Sequence, residues 1–372
     1  MLRCLMVALC LVFTGCTSPA FYLQAINGQH EILDKAEPID VVLERSSTPY
    51  PLKQKLSLLK EIRLFASDEL FLPDNNSYKT YTALKRPFVT WNVFAADELS
   101  VSPKTWCFFV VGCVGYRGYF SKVSAEAYAS KLKAQGYDTY IGGVPAYSTL
   151  GHFDDPALST FIYYPEAELA GLIFHELAHQ LLYIKDDSMF NESFAATIEE
   201  EGVKRWISRR GSNGNLDLFY TRKKRYKDYV SLLSNYKDKL STLYNSHKSL
   251  QEKRNEKEHV FAALKQDYQL LKQQWNNYSG YDYLFSLDLN NAFVASTSLY
   301  TQLVPAFQAL LIKHNNDLKA FYEEVKKIAL EPKVKREILL QQLIKEDKDP
   351  LVSESRELGL SKGGKSIVIL RR

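Results

Sequence analysis

The run His175-Glu-Leu-Ala-His179 limits what this chain can be more sharply than any other feature. A helix advances about 100° per residue, so positions four apart share a face. If the run is helical, both imidazoles can point at one metal ion. Glu176, the next residue along, can reach a metal-activated water instead of the metal. Two histidine ligands and a carboxylate base at this spacing imply zinc hydrolysis. The helix itself is well signalled. Pro165 suits a first helical turn, and Glu166 and Glu168 suit the positive end of the helix dipole. Leu169, Leu172, Ile173, Leu177 and Leu181 recur at threes and fours, an apolar stripe facing a core. The reading without a metal is a buried helix with two hydrogen-bonded histidines and a surface glutamate.

A catalytic zinc takes three protein ligands and keeps one position open. Glu192, in Phe190-Asn-Glu-Ser-Phe-Ala-Ala, is the candidate third ligand. Asp186-Asp187-Ser188 interrupts the first helix, and Asn191 can cap a second. Glu199 lies two turns beyond Glu192 on the same face, where it can hydrogen-bond a ligand histidine from the second coordination layer. Read blandly, Glu192 is an acid at a helix N-terminus and Glu199 to Glu201 form a solvated face.

HELAHQ followed by NESFA resembles the gluzincin metallopeptidases, whose alanyl-aminopeptidase type carries HELAHQ and NEGFA. The resemblance implies His175, His179 and Glu192 as the ligands of one Zn2+ per chain, with Glu176 as general base. Only residues 180–191 separate His179 from Glu192. That gap is shorter than in those relatives, so the connection must be tight. The wider stretch from Ala146 to Gly202 is similar to a family of zinc aminopeptidases found as bacterial lipoproteins, a likeness covering most of the mature chain.

The N-terminus agrees with such an address. Arg3, the apolar run Leu5 to Phe13, and Thr14-Gly15-Cys16 read as a signal peptide ending in a lipobox, too short to span a bilayer permanently. Cys16 is then the lipidated residue, and Thr17 after it points to the outer membrane, facing the periplasm. An ordinary signal peptide with an incidental cysteine is the alternative. A net charge of +4 over 372 residues, with lysines dispersed among acids, gives no case for nucleic acid. The 46% hydrophobic content supports a large core. Outside the signal and Cys16, Cys107 and Cys113 remain as an even pair in an oxidising compartment. On one straight strand their sulfurs are too far apart to bond, so a disulfide requires a turn at Gly112.

Along the chain, residues 1–15 read as the signal peptide and 16–90 as a helical N-terminal segment. Residues 91–202 read as an α/β catalytic core, 203–350 as a helical lobe and 351–372 as a loosely ordered tail. Strand patterns run through Phe88 to Phe120, Tyr137 to Ile141 and Ser159 to Tyr164. Leu233 to Leu250 and Phe261 to Trp275 carry apolar residues at threes and fours. Arg254 and Lys257 would spoil a continuous seam, which predicts an antiparallel helical hairpin. The fold class expected is α+β: a zincin-like plan with a mixed sheet lobe and a mainly helical lobe bearing that hairpin.

Peptide hydrolysis through a tetrahedral intermediate needs an oxyanion donor. Tyr300 is the candidate, with Asn290 and Asn291 as substrate contacts; a buried tyrosine and a helix cap fit those residues equally. His152 with Asp154 and Asp155 form another polar cluster, or a turn. The function implied is zinc-dependent removal of N-terminal residues from peptides. A zinc endopeptidase or cell-wall peptide hydrolase, and a non-catalytic lipoprotein binding or scaffold module, are the alternatives.

Overall fold

The computed structural model describes residues 19–108, 112–146, 148–211, 213–297 and 302–347. The signal segment with Cys16, Tyr300, and the tail from residue 351 lie outside the described residues. The chain mixes helices with small sheets, an α+β architecture. Contacts sort it into two units, residues 1–186 with 198–299, and residues 187–197 with 300–372.

The first unit begins with α1 (Pro19–Asp34), β1 (Glu37–Pro38), α2 (Ile39–Glu44), α3 (Tyr50–Asp68) and β2 (Thr80–Thr82). A second group of strands follows: β3 (Thr90–Asp97), β4 (Trp106–Phe108), β5 (Gly112–Val114) and β6 (Arg117–Tyr119). Then come α4 (Lys122–Ala134), β7 (Tyr137–Val144) and β8 (Ala157–Leu158). The main sheet has the order β6-β3-β7 and is antiparallel, with Val93 opposite both Arg117 and Ile141. Side chains alternate across a strand. Trp91, Val93 and Ala95 of β3 therefore pack with Ala125, Ala129 and Leu132 of α4. Phe94 points the other way and stacks on Tyr140.

The second sheet has the order β1-β2-β8, with β8 parallel to β2. Here the expected strand Ser159 to Tyr164 is corrected. Strand β8 stops at Leu158, and the chain coils through turns in which Ile162 N–H donates to Leu158 O and Tyr164 N–H to Phe161 O. Its threonine and aromatic content looks extended. However, Ser159 Oγ bridges to the backbone of Leu84, and Phe161 and Ile162 are buried as a plug.

The cysteine-containing stretch is not one strand either. Strands β4 and β5 form an antiparallel pair in which Cys107 lies directly opposite Cys113, and the two are disulfide-bonded. Gly112, which opens β5 opposite Phe108, has φ of 78°, a left-handed conformation that suits glycine.

After β8 come α5 (Glu166–Leu181), α6 (Ser188–Arg210), α7 (Asn213–Tyr244), α8 (Leu250–Gln274), α9 (Asp282–Ser286) and α10 (Asn291–Ser296). Helices α7 and α8 make the expected antiparallel hairpin. Asp228 accepts from Trp275 Nε1, Asp267 from Tyr236 Oη, and Tyr244 O from Lys253 Nζ. Its seam buries Leu233, Leu240, Leu264 and Tyr268. The two cations that argued for a bend leave the seam altogether. Arg254 clasps Glu98 with two hydrogen bonds, and Lys257 reaches Asp138 at 2.6 Å. They tie the hairpin to the main sheet.

The second unit is helical: the start of α6 with α11 (Val304–Lys313), α12 (Leu318–Leu330) and α13 (Lys333–Asp347). Phe190 and Phe194 pack on Phe307, and Phe194 also stacks on Phe321. Beside them Arg336 Nη2 donates to Asp187 Oδ2 at 2.6 Å, with both side chains almost fully buried. Among the described residues no helix is long and apolar enough to cross a membrane.

Candidate metal centre

The centre is built on two consecutive helices, α5 and α6. Of the apolar stripe of α5, Leu169, Ile173 and Leu177 have no measurable exposure, as does Phe174 beside them, while Leu172 and Leu181 are half-buried. The acids of its first turn are also used. Glu166 accepts from Trp206 Nε1 and pairs with Arg210, and Glu168 pairs with Arg222. That clamp fixes the rotation of α5 about its axis, and with it the direction of both histidines.

Helix α5 ends at Leu181, and after six intervening residues α6 begins at Ser188. The short link is made by a residue in a left-handed conformation, Asp186, with φ of 62°. Its carboxylate accepts from the Cys113 amide of the disulfide hairpin at 3.0 Å. The cap of α6 is Asp187, whose Oδ1 accepts from Phe190 N–H. Asn191, the expected cap, lies inside the helix and is buried. The helix therefore starts a turn earlier than its sequence suggests.

His175, His179 and Glu192 come together: one ligand atom from each lies within 4.8 Å of the others. The two Nε2 atoms face each other at 3.1 Å, with the rings near perpendicular. Two nitrogens bound to one tetrahedral zinc at about 2.05 Å would stand about 3.3 Å apart. The donor set, two imidazoles and one carboxylate, is that of a catalytic zinc with an open position. A glutamate can cover the remaining difference of roughly 1.5 Å by rotating about its own bonds. The residues present thus fit the ion. Glu176 is half-buried on the same helix, next to the first histidine.

Glu199 sits beside the first histidine. His175 Nδ1 donates to Glu199 Oε2 at 3.2 Å, which leaves Nε2 with its lone pair for a metal. Close helix packing makes the contact possible. A Cβ on Gly171, one turn before His175, would stand 3.1 Å from Glu199 Cγ, so only glycine lets α6 approach this far without displacement. Burial works against a charge on Glu199. The hydrogen bond from His175 and the charge of Lys223 outweigh it and hold the carboxyl down at about 2. Lys223 of α7 lies 3.2 Å from Glu199 and 3.0 Å from Glu200. Its own pKa is lowered by burial but raised more strongly by those two carboxylates. Sequence reasoning missed Lys223, one of many lysines in a charged helix; its spacing carries no signal.

Gln180, directly after His179, is held by a second polar cluster. Its Oε1 accepts from Asn75 Nδ2 at 2.7 Å, and its Nε2 donates to Ser77 Oγ and Asp155 Oδ2. Arg63, almost fully buried, fixes the loop from Pro73 to Ser77 by donating to the carbonyls of Pro73, Asn75 and Ser77. Asp155 accepts from the Thr149 amide, and His152 is exposed.

The remaining candidates lie elsewhere. Asn290 caps α10 by accepting from Phe293 N–H and donates to Thr139 O. Asn291 is fully buried; its amide donates to Asp97 O and Glu98 O and accepts from Tyr244 Oη. These bonds join α10 to the main sheet and the hairpin. Asn291 thus spends its side-chain amide on bonds within the fold.

Compared with known families, residues 20–340 match the one described as "putative aminopeptidase". The chain belongs to that family. No curated protein and no solved structure matches it. The matched residues include both candidate metal helices and parts of both units, so His175, His179 and Glu192 lie within the matched range.

Proposed function

We propose that this chain is a zinc-dependent peptidase of zincin-like fold that removes N-terminal residues from peptides. The convergence of His175, His179 and Glu192 carries the reading. These three residues would hold the ion. When bound, zinc supplies Lewis-acid chemistry, polarising the scissile carbonyl and acidifying water. Glu176 takes a proton from the attacking water and delivers it to the leaving amine. Glu199 keeps the Nδ1 proton of His175 in place, and Lys223 keeps Glu199 ionised. Tyr300 is the proposed donor to the oxyanion. The family description supports the aminopeptidase subtype.

The same reading takes Cys16 as a lipidated residue that holds the enzyme on the outer membrane, facing the periplasm; Thr14-Gly15-Cys16 supports it.

The test is metal content and peptidase activity of the purified chain and of Glu176→Gln. One zinc per chain is expected in both, with activity lower in the variant by about 10²–10⁴-fold. Equal activity would reject the general-base role, and a protein without zinc that is indifferent to chelators would reject the whole reading. Peptides with free and blocked amines separate exo- from endopeptidase action: cleavage of blocked peptides alone sinks the aminopeptidase assignment.

A further inference from the structure

Helix α1 is firmly attached by one side. Phe21 packs on Phe108 and Tyr119, with the Arg117 guanidinium over its ring. Gln24 donates to Gly118 O and accepts from Phe120 N–H. Gly28 lies so close to the Phe120 ring that a Cβ would clash, and Ile32 is buried. The opposite side is therefore displayed in a fixed orientation, and it is not uniform. Tyr22, Leu23 and Ile26 stand out over the first turns at 41%, 59% and 54% exposure. Asn27, His30 and Asp34 occupy the outward side further on. Exposed apolar side chains thus concentrate at the end of α1 nearest Cys16. The four steps along the chain from Cys16 to Ala20 span at most about 14 Å.

We propose that this apolar end of α1 is a membrane-docking surface, seated in the interfacial layer of the leaflet that holds the Cys16 acyl chains. The choice of a lipid surface as occupant rests on the lipid-anchor reading above. An acyl chain inserted at Cys16 keeps the start of α1 within reach of the headgroups. Tyrosine and aliphatic side chains suit that layer, and the polar far end suits water. Helix α1 contains no lysine or arginine, so the attachment is apolar and insensitive to salt and to lipid charge. One consequence is orientation: an anchor alone leaves a domain free to tumble, whereas a docked helix fixes which side of the enzyme faces the periplasm.

The test places nitroxide labels at Leu23→Cys, Ile26→Cys and, as a control, Asp34→Cys. The full-length lipidated protein is placed on phosphatidylcholine vesicles, and accessibility to oxygen and to a water-soluble nickel chelate is read. Labels at positions 23 and 26 are expected to become oxygen-rich and several-fold less accessible to nickel on adding vesicles, while position 34 stays aqueous. Vesicle-bound protein with all three labels equally open to nickel overturns the proposal and leaves the anchor standing. Labels at 23 and 26 shielded before vesicles are added also overturn it, because protein then covers the face. Mass measurement at Cys16 tests the anchor separately. If Cys16 carries no lipid, the same labels in a Cys16→Ser protein at high vesicle concentration decide the matter. Burial supports docking without the anchor, and no change rejects it. In that unlipidated form, Tyr22, Leu23 and Ile26 all changed to serine should reduce vesicle binding by at least about tenfold.

Discussion

Replacing Glu199 by glutamine isolates one term of the metal centre, because glutamine keeps the shape and removes only the charge. The carboxyl sits at about 2 against an ordinary value of 4.5. That difference corresponds to about 3 kcal/mol favouring the ionised form. Burial opposes that charge, so the favourable contributions of His175 and Lys223 together exceed this net figure. Losing a carboxylate behind a metal-binding histidine typically weakens metal binding about 10–100-fold, and that is the loss expected of the variant. Competition with a chromophoric chelator at neutral pH measures the affinity. Melting in excess chelator shows whether the metal-free fold is intact, as expected, since Lys223 retains Glu200 at 3.0 Å. A zinc affinity within about twofold of the parent, in a protein where His175→Ala loses binding, would refute the coupling between Glu199 and His175.

Two further outcomes concern the scaffold. Asp187→Ala removes the cap of α6 and strands the buried Arg336. The expected loss is about 3–5 kcal/mol in denaturant unfolding, and a loss under about 1 kcal/mol would mean that the pair is not buried as described. The Asp155 carboxyl is pushed up from its ordinary value by burial, against hydrogen bonds from Thr149 and Ser148. A raised folded-state value means that the native state holds the proton more tightly. The stability from this group is thus full below the unfolded value of about 3.9 and is lost as pH rises through the folded value. Asp155→Asn should therefore gain stability relative to the parent as pH is raised from about 4 to neutrality. A difference independent of pH, from unfolding curves of both proteins, would contradict the assigned cause.

What could be read from the sequence and what could not divides along a physical line. His175, His179 and the stripe of α5 obey a 3.6-residue repeat, so adjacency along the chain dictates adjacency in space. The α7–α8 hairpin was legible for the same reason, through two apolar repeats and two cations that would not fit between them. Errors arise where distant partners decide. Ser159 to Tyr164 has strand composition, but Ser159 is captured by Leu84, 75 residues away, and the segment turns. Asn191 looks like a cap, yet Asp187 takes that place, and its buried partner Arg336 lies 149 residues on. The metal centre combines both kinds of information. Glu192 and Glu199 lie on one continuous helix, so a shift of α6 along its axis would move the proposed third ligand and the carboxylate behind His175 together. A local spacing can specify that linkage, and it is visible in the sequence. The cation that keeps Glu199 charged comes from another helix, α7, and no local repeat could have named Lys223 among the lysines around it.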